Sequence, residues 1–194
     1  MVKVGFIVEG DSEKIVIESS DFKAFLQEND FELVNPVVNA KGGGNLLPQN
    51  IDAYLGRLDQ QAVDTIVVLT DLEDEVSVDF VRERIANARI NSIFVAVKAL
   101  EGWFLADSVA MNKWLGIDDF NEQQPEQTQN KPWDRLKEIS NSLGKRGPGN
   151  KTAFAKKMMK HCGFSIRQAA LHPQCPSALE LFRYFSEQNR PTKG

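Results

Sequence analysis

Apolar and polar positions alternate in blocks along the first half of the chain. Residues 3–8 (KVGFIV), 31–39, 65–70 and 92–99 are short apolar runs bounded by turn-forming residues. Runs of this kind predict buried strands. Residues 65–70 are almost wholly apolar, as in a central parallel strand. Pro36 places the second run at an edge or a strand end. Between the runs the apolar positions follow helical spacing. Ile15, Val16, Phe22, Phe25 and Leu26 fit one face of a helix over 13–28, with Ser12 as its cap. Ile51, Leu55 and Leu58 do the same over 46–60, and Val81 and Ile85 over 78–88 behind Ser77. The alternation predicts an α/β fold with a mostly parallel four-stranded sheet and right-handed crossovers.

The texture changes after residue 99. Helical spacing covers 100–114, 133–143 (opened by Pro132), 152–162 and 177–188. Residues 116–130 are polar, and 122–127 read as a mobile loop. The expected division is an α/β domain over 1–107 and an α-helical C-terminal extension over 108–194 packed on it.

Hydrophobic residues make up 42% and charged residues 26%, which suits a single globular domain with at most a small appendage. The formal net charge of -4 argues against gripping nucleic acid by bulk positive charge. A local patch remains available in Lys145, Arg146, Lys151, Lys156, Lys157, Lys160 and His161, although such a run also suits a solvated helix face. No apolar run reaches the length of a membrane span. The start runs directly into a strand and reads as lacking a signal peptide. Cys162 and Cys175 lack the paired spacing of a zinc site and read as reduced thiols. A cytoplasmic location without a membrane partner is the expectation.

Candidate chemistry sits where strands end. Glu9 follows the first strand, and Asp71 and Glu73 follow the third, with Asp74 beside them. Ligands in open α/β sheets bind past the carboxyl ends of strands. Crowded carboxylates need a shared proton or a cation, and hard divalent ions prefer oxygen ligands. Mg²⁺ or Mn²⁺ is therefore the expected cofactor. Glu101 lies among Leu100, Trp103, Phe104 and Leu105, where an unpaired buried charge would be costly. The glycine run 41–45 lacks Walker A spacing and reads as a loop rather than a phosphate cradle. His161 and His172 have no ligand spacing, and the three tryptophans read as core. A phosphotransfer receiver fits the acidic pocket but not the Lys98-Ala99-Leu100 stretch or the helical tail.

A strand ending in Val-Glu-Gly, a helix opened by Ser12-Glu13, and a later strand ending in Asp71-Leu72-Glu73 resemble the Toprim fold. That module occurs in type IA and II topoisomerases, DnaG-type primases and OLD-family nucleases. The resemblance implies that Glu9 is an acid/base or metal ligand and that Asp71 and Glu73 bind Mg²⁺. Glu73 stands where Asp is usual. Glu13 matches the second acid of VEGxxE variants. The segment Leu100-Glu101-Gly102-Trp103-Phe104-Leu105-Ala106-Asp107 resembles a signature of short standalone Toprim-like proteins, in which the Glu points back at the acidic site. Their helical tail is similar to residues 132–185, including Cys175-Pro176-Ser177. The resemblance implies Mg²⁺-dependent phosphodiester chemistry, as a nuclease in DNA processing or phage defence. Glu9, Asp71 and Glu73 would be catalytic, and Glu9, Glu13, Asp71, Glu73 and Glu101 would hold metal. DNA is favoured over RNA as partner. Topoisomerase chemistry is disfavoured, because neither Tyr54 nor Tyr184 lies in a recognisable cleavage region. The alternative is a non-catalytic Mg²⁺- or nucleotide-binding module serving a partner such as an ATPase.

Overall fold

A computed structural model describes residues 1–187. The chain opens with β1 (Val2–Val8), α1 (Asp11–Ile17), α2 (Ser20–Glu28), β2 (Phe31–Leu33) and β3 (Val38–Asn39). A 3₁₀ turn at Gly43–Leu46 leads into α3 (Pro48–Asp59), β4 (Thr65–Asp71), α4 (Val78–Ile85) and β5 (Ser92–Ala96). Helices follow: α5 (Glu101–Ala106), α6 (Ser108–Leu115), α7 (Pro132–Ser142), α8 (Lys151–Lys157), α9 (Ile166–Leu171) and α10 (Pro176–Glu187). A π turn, Met158–Cys162, extends α8.

The five-stranded sheet has the order β2-β1-β4-β5, with β3 also on β1. Every pairing is parallel. β2 pairs with the start of β1 and β3 with its end, while β4 takes the other flank. The single strand expected over 31–39 is thus two short strands. Pro36, which has no N–H for the ladder, lies in the gap.

Local chemistry also divides two expected helices. The stretch 13–28 breaks after Ile17, and Ser19 caps α2 by accepting the Phe22 N–H at 3.1 Å. Ser12 is not the cap expected of it; it lies buried inside α1, and Gly10 holds the cap position. The stretch 100–114 breaks at Asp107, whose carboxylate accepts from Ala110 N at 3.0 Å and Ser165 N at 3.0 Å. The short α9 falls outside the stretches of helical spacing. α10 runs to Glu187, and Gln188, the expected helix end, lies outside the described residues, as does the rest of the extension to 194.

Strand side chains alternate between two faces, as the period of a strand requires. Val4, Phe6, Val8, Val67 and Leu69 enter the larger core, with α1, α2 and the helices from α5 onward. Ile7, Ile66, Val68 and Val95 enter the smaller one, with α3 and α4. The C-terminal helices share the sheet's core. The Phe185 ring of α10 lies 5.9 Å from Phe6, 6.2 Å from Phe22 and 5.0 Å from Phe31, centroid to centroid. The expected mobile loop at 122–127 is instead packed. Glu126 is buried and accepts from Ser177 N at 3.0 Å and Ser177 Oγ at 2.5 Å, and Trp103 Nε1 donates to Ser177 Oγ at 2.7 Å. Cys162 and Cys175 are free and buried. Among the described residues, no helix is long and apolar enough to cross a membrane.

This topology places a crevice. The chain leaves β1 toward α1 on the larger-core face and leaves β4 toward α4 on the other face. Strands β1 and β4 are neighbours. Their exit loops diverge at a topological switch point, where open α/β sheets form ligand clefts.

Candidate functional site

The acids predicted from the sequence meet at that switch point. A cleft of about 480 Å³ is lined by Glu9, Glu13, Asp71, Glu73, Glu101 and Lys151, among others. The β1/β4 register explains the first contact. Val8 lies opposite Leu69, so Glu9 emerges beside Thr70 and Asp71. Glu9 Oε2 accepts from the Thr70 hydroxyl, and from Asp71 N at 3.1 Å. One oxygen of Glu9 is thereby anchored. Its other oxygen, Oε1, lies only 3.2 Å from where a Cβ on Gly43 would sit. Gly10 is equally constrained: a Cβ there would stand 2.9 Å from Glu13 Oε2. Two glycines therefore let the backbone approach two of the acids.

Asp71 ends β4, and its Oδ1 accepts from Leu100 N at 2.9 Å. Burial, then the carboxylates of Glu13, Glu101 and Glu9, raise its pKa well above the usual carboxylate range. Glu13, on the buried side of α1, is raised to about 7. Burial is the main cause there. Glu101 and Glu9 add to it, while a main-chain hydrogen bond and Lys151 oppose it. Glu101 opens α5 and is only 2% exposed. Lys151 Nζ lies 3.2 Å from each of its carboxylate oxygens. Burial pulls the Lys151 ammonium down, but Glu101, Asp71 and Glu13 outweigh this and raise its pKa.

Glu73 sits on the exposed rim of the same cleft. Its φ is 50°, and that of Lys98, which receives the Glu73 N–H on its carbonyl at 2.7 Å, is 61°. Two non-glycine residues in the left-handed region thus face each other beside the acids. Such strain, of about 1–3 kcal/mol each, gathers at functional sites. Asp74 does not join the group. It points to Lys131, at 3.3 Å.

Sequence reasoning missed Thr70 and the role of Lys151. In the sequence Thr70 is no more than the end of a strand. Lys151 belongs by sequence to a basic patch with its neighbours, because nothing local links it to an acid fifty residues away. The Asn150 cap, which accepts from Ala153 N at 2.8 Å, starts α8 where Lys151 reaches Glu101.

Among the described residues, no three His, Cys, Asp or Glu side chains are drawn together as an ion-ready group. The donor set nevertheless suits a hard cation. It is all oxygen, it carries more negative charge than Lys151 balances, and burial together with the neighbouring carboxylates raises the pKa of Asp71 and Glu13. Comparison of the chain with protein-family models, curated proteins and solved structures gives no match.

Proposed function

We propose that this protein is a Toprim-like nuclease that cleaves phosphodiester bonds of nucleic acid, DNA before RNA, with Mg²⁺ or Mn²⁺. The observation that carries the reading is the meeting of Glu9, Glu13, Asp71 and Glu101 at the switch point of a parallel sheet, with Glu73 on the rim. These five residues would hold the metal. A bound divalent ion supplies Lewis-acid polarisation of the phosphate and a more acidic water.

The chain's own groups have separable tasks. Glu9 is held by Thr70 and by the Asp71 N–H, which fixes its carboxylate toward the cleft. Asp71 is oriented by the Leu100 N–H. Glu13, buried on α1 beside Glu101, would add its carboxylate to the oxygen ligands on the inner side of the cleft. Lys151 holds Glu101 and places a positive charge where phosphate oxygens would approach. The burial around Glu13 and Glu101 limits water and strengthens these interactions.

The test is incubation of plasmid and oligonucleotide substrates with Mg²⁺, Mn²⁺ or EDTA. Cleavage is expected only with metal and should fall at least a hundredfold in the Asp71→Ala, Glu73→Ala double variant. Equal cleavage by the double variant, or cleavage in EDTA, would overturn the reading. The Lys151–Glu101 pair supports a second reading, because it neutralises part of the cluster without a metal. On that reading the module binds Mg²⁺ or a nucleotide without catalysis, for a partner such as an ATPase. Metal-induced stabilisation with no cleavage would select it.

A further inference from the structure

Beside the acid cleft lies a second chamber of about 560 Å³, sharing Glu73, Glu101 and Lys151 with it. Its other walls differ in character: Lys98, Lys131, the amides of Gln129 and Asn130, and Trp133. We propose that this chamber seats one nucleotide of a single-stranded nucleic acid, next to the phosphodiester held at the acids. The assignment rests on the nuclease reading of those acids.

Charge is the first argument. The Lys98 ammonium is held by the main-chain carbonyls of Thr128 and Asn130, which are neutral, so its charge is not cancelled. Three of the four acids at this wall, Asp74, Glu101 and Asp134, are ion-paired, and Glu73 stands on the rim shared with the acid cleft. Asp134 takes Lys137 at 2.9 Å, and Asp74 takes Lys131 at 3.3 Å. The Asp74–Lys131 pair is 85% and 62% exposed, a class of contact worth under about 1 kcal/mol, so a phosphate can displace it. Lys98 therefore brings a positive charge that no acid among the described residues pairs to the wall beside the carboxylates, and Lys131 joins it once a phosphate replaces Asp74. That pattern suits a phosphodiester running from one chamber to the other.

Shape is the second. Trp133 is half-buried, and its ring is braced edge-on by Phe154 with centroids 5.8 Å apart. Lys137 Nζ lies over the ring 5.8 Å from its centroid, and the part of the ring exposed at the chamber wall offers a stacking surface, where stacking contributes about 1–3 kcal/mol per base. Gln129 and Asn130 are exposed; Asn130 Nδ2 donates to Glu138 at 3.0 Å, which leaves its amide oxygen and the Gln129 amide for a base edge. The volume falls in the range of single small-ligand sites, roughly 300–1,000 Å³. It admits one nucleotide and not a duplex. Trp133 and Lys131 line this chamber but not the acid cleft.

The experiment is fluorescence anisotropy in EDTA, where no cleavage intervenes. The probes are a labelled oligo(dT), an oligo(U) of equal length, and a blunt duplex. Single strands should bind at least tenfold tighter than the duplex, and the dT and U arms show whether the DNA or the RNA strand is preferred. Lys131→Glu, at an exposed position that tolerates change, should weaken single-strand binding about tenfold. Lys131→Ala should lower the salt slope by about one phosphate contact. Trp133→Ala should weaken binding about tenfold, with a thermal melt checking its fold. Duplex binding as tight as single-strand binding, or an unchanged Kd in Lys131→Glu, would overturn the assignment. The two readings fail separately. Single-strand binding that is sensitive to Lys131 without any cleavage removes the nuclease and keeps the seat. Metal-dependent cleavage with binding insensitive to Lys131 does the reverse.

Discussion

Replacing Glu13 by Gln should make the metal-free protein more stable at pH 8. Glu13 is an acid whose folded-state pKa lies above its ordinary value, moved from 4.5 to about 7. The folded state therefore binds its proton more tightly than the unfolded state does. Its contribution is most favourable below about pH 4.5 and is lost as pH rises through about 7. Above that, the folded chain carries a charge held against burial and against Glu101 and Glu9. At about 1.4 kcal/mol per pH unit the cost approaches about 3 kcal/mol. Glutamine keeps the shape and the acceptor oxygen without the charge. The variant should gain about 3 kcal/mol at pH 8 and under about 1 kcal/mol at pH 5. For a chain of this length that is a rise in Tm of about 6–12 °C at pH 8. Thermal melts of both proteins at pH 5 and pH 8, with EDTA and then with Mg²⁺, measure it. Added Mg²⁺ should raise the wild type more than the variant, because the wild type has one more crowded carboxylate to relieve. A loss of stability of equal size at both pH values would refute the reasoning. It would mean that Glu13 acts as a hydrogen-bonding group and not as a charge in a repelling set.

Further outcomes follow from the packing. Glu101→Gln should weaken Mn²⁺ binding in calorimetric titration while lowering the metal-free Tm only slightly, since Lys151 is 51% exposed and can turn to water; a large loss of stability with unchanged Mn²⁺ affinity would remove Glu101 from the site. Ser177→Ala leaves the buried Glu126 and the Trp103 indole N–H short of a partner, and should cost about 2–4 kcal/mol in chemical denaturation. Phe185→Ala should cost about 3–5 kcal/mol, because its ring bridges α10 to the sheet and α2; a value under about 1 kcal/mol would show that the C-terminal helices fold apart from the sheet. Gly43→Ala should crowd Glu9 and lower metal affinity with little change in metal-free Tm, read by the same titration.

The sequence by itself determined the class of fold and the identity of the acids. Strand periodicity depends on burial of both faces, and Thr65–Asp71 carries that signal in its own composition. A carboxylate just past a strand end is likewise a local fact, so Glu9 and Asp71 were legible without a partner. Local signals failed where structure depends on a competing hydrogen bond. Ser19 and Asp107 each cap a new helix inside a stretch with continuous helical spacing, and periodicity does not register a cap. The loop at 122–127 looked polar and mobile because its anchor, Ser177, lies fifty residues away. Lys151 escaped the site for the same reason: its ion pair with Glu101 exists only once α8 and α5 share a core. Tertiary structure alone decided that β1 and β4 are neighbours, and hence that Glu9 and Asp71 face one cleft. It alone also set the charge balance there, since carboxylates repel strongly only when folding removes the water between them.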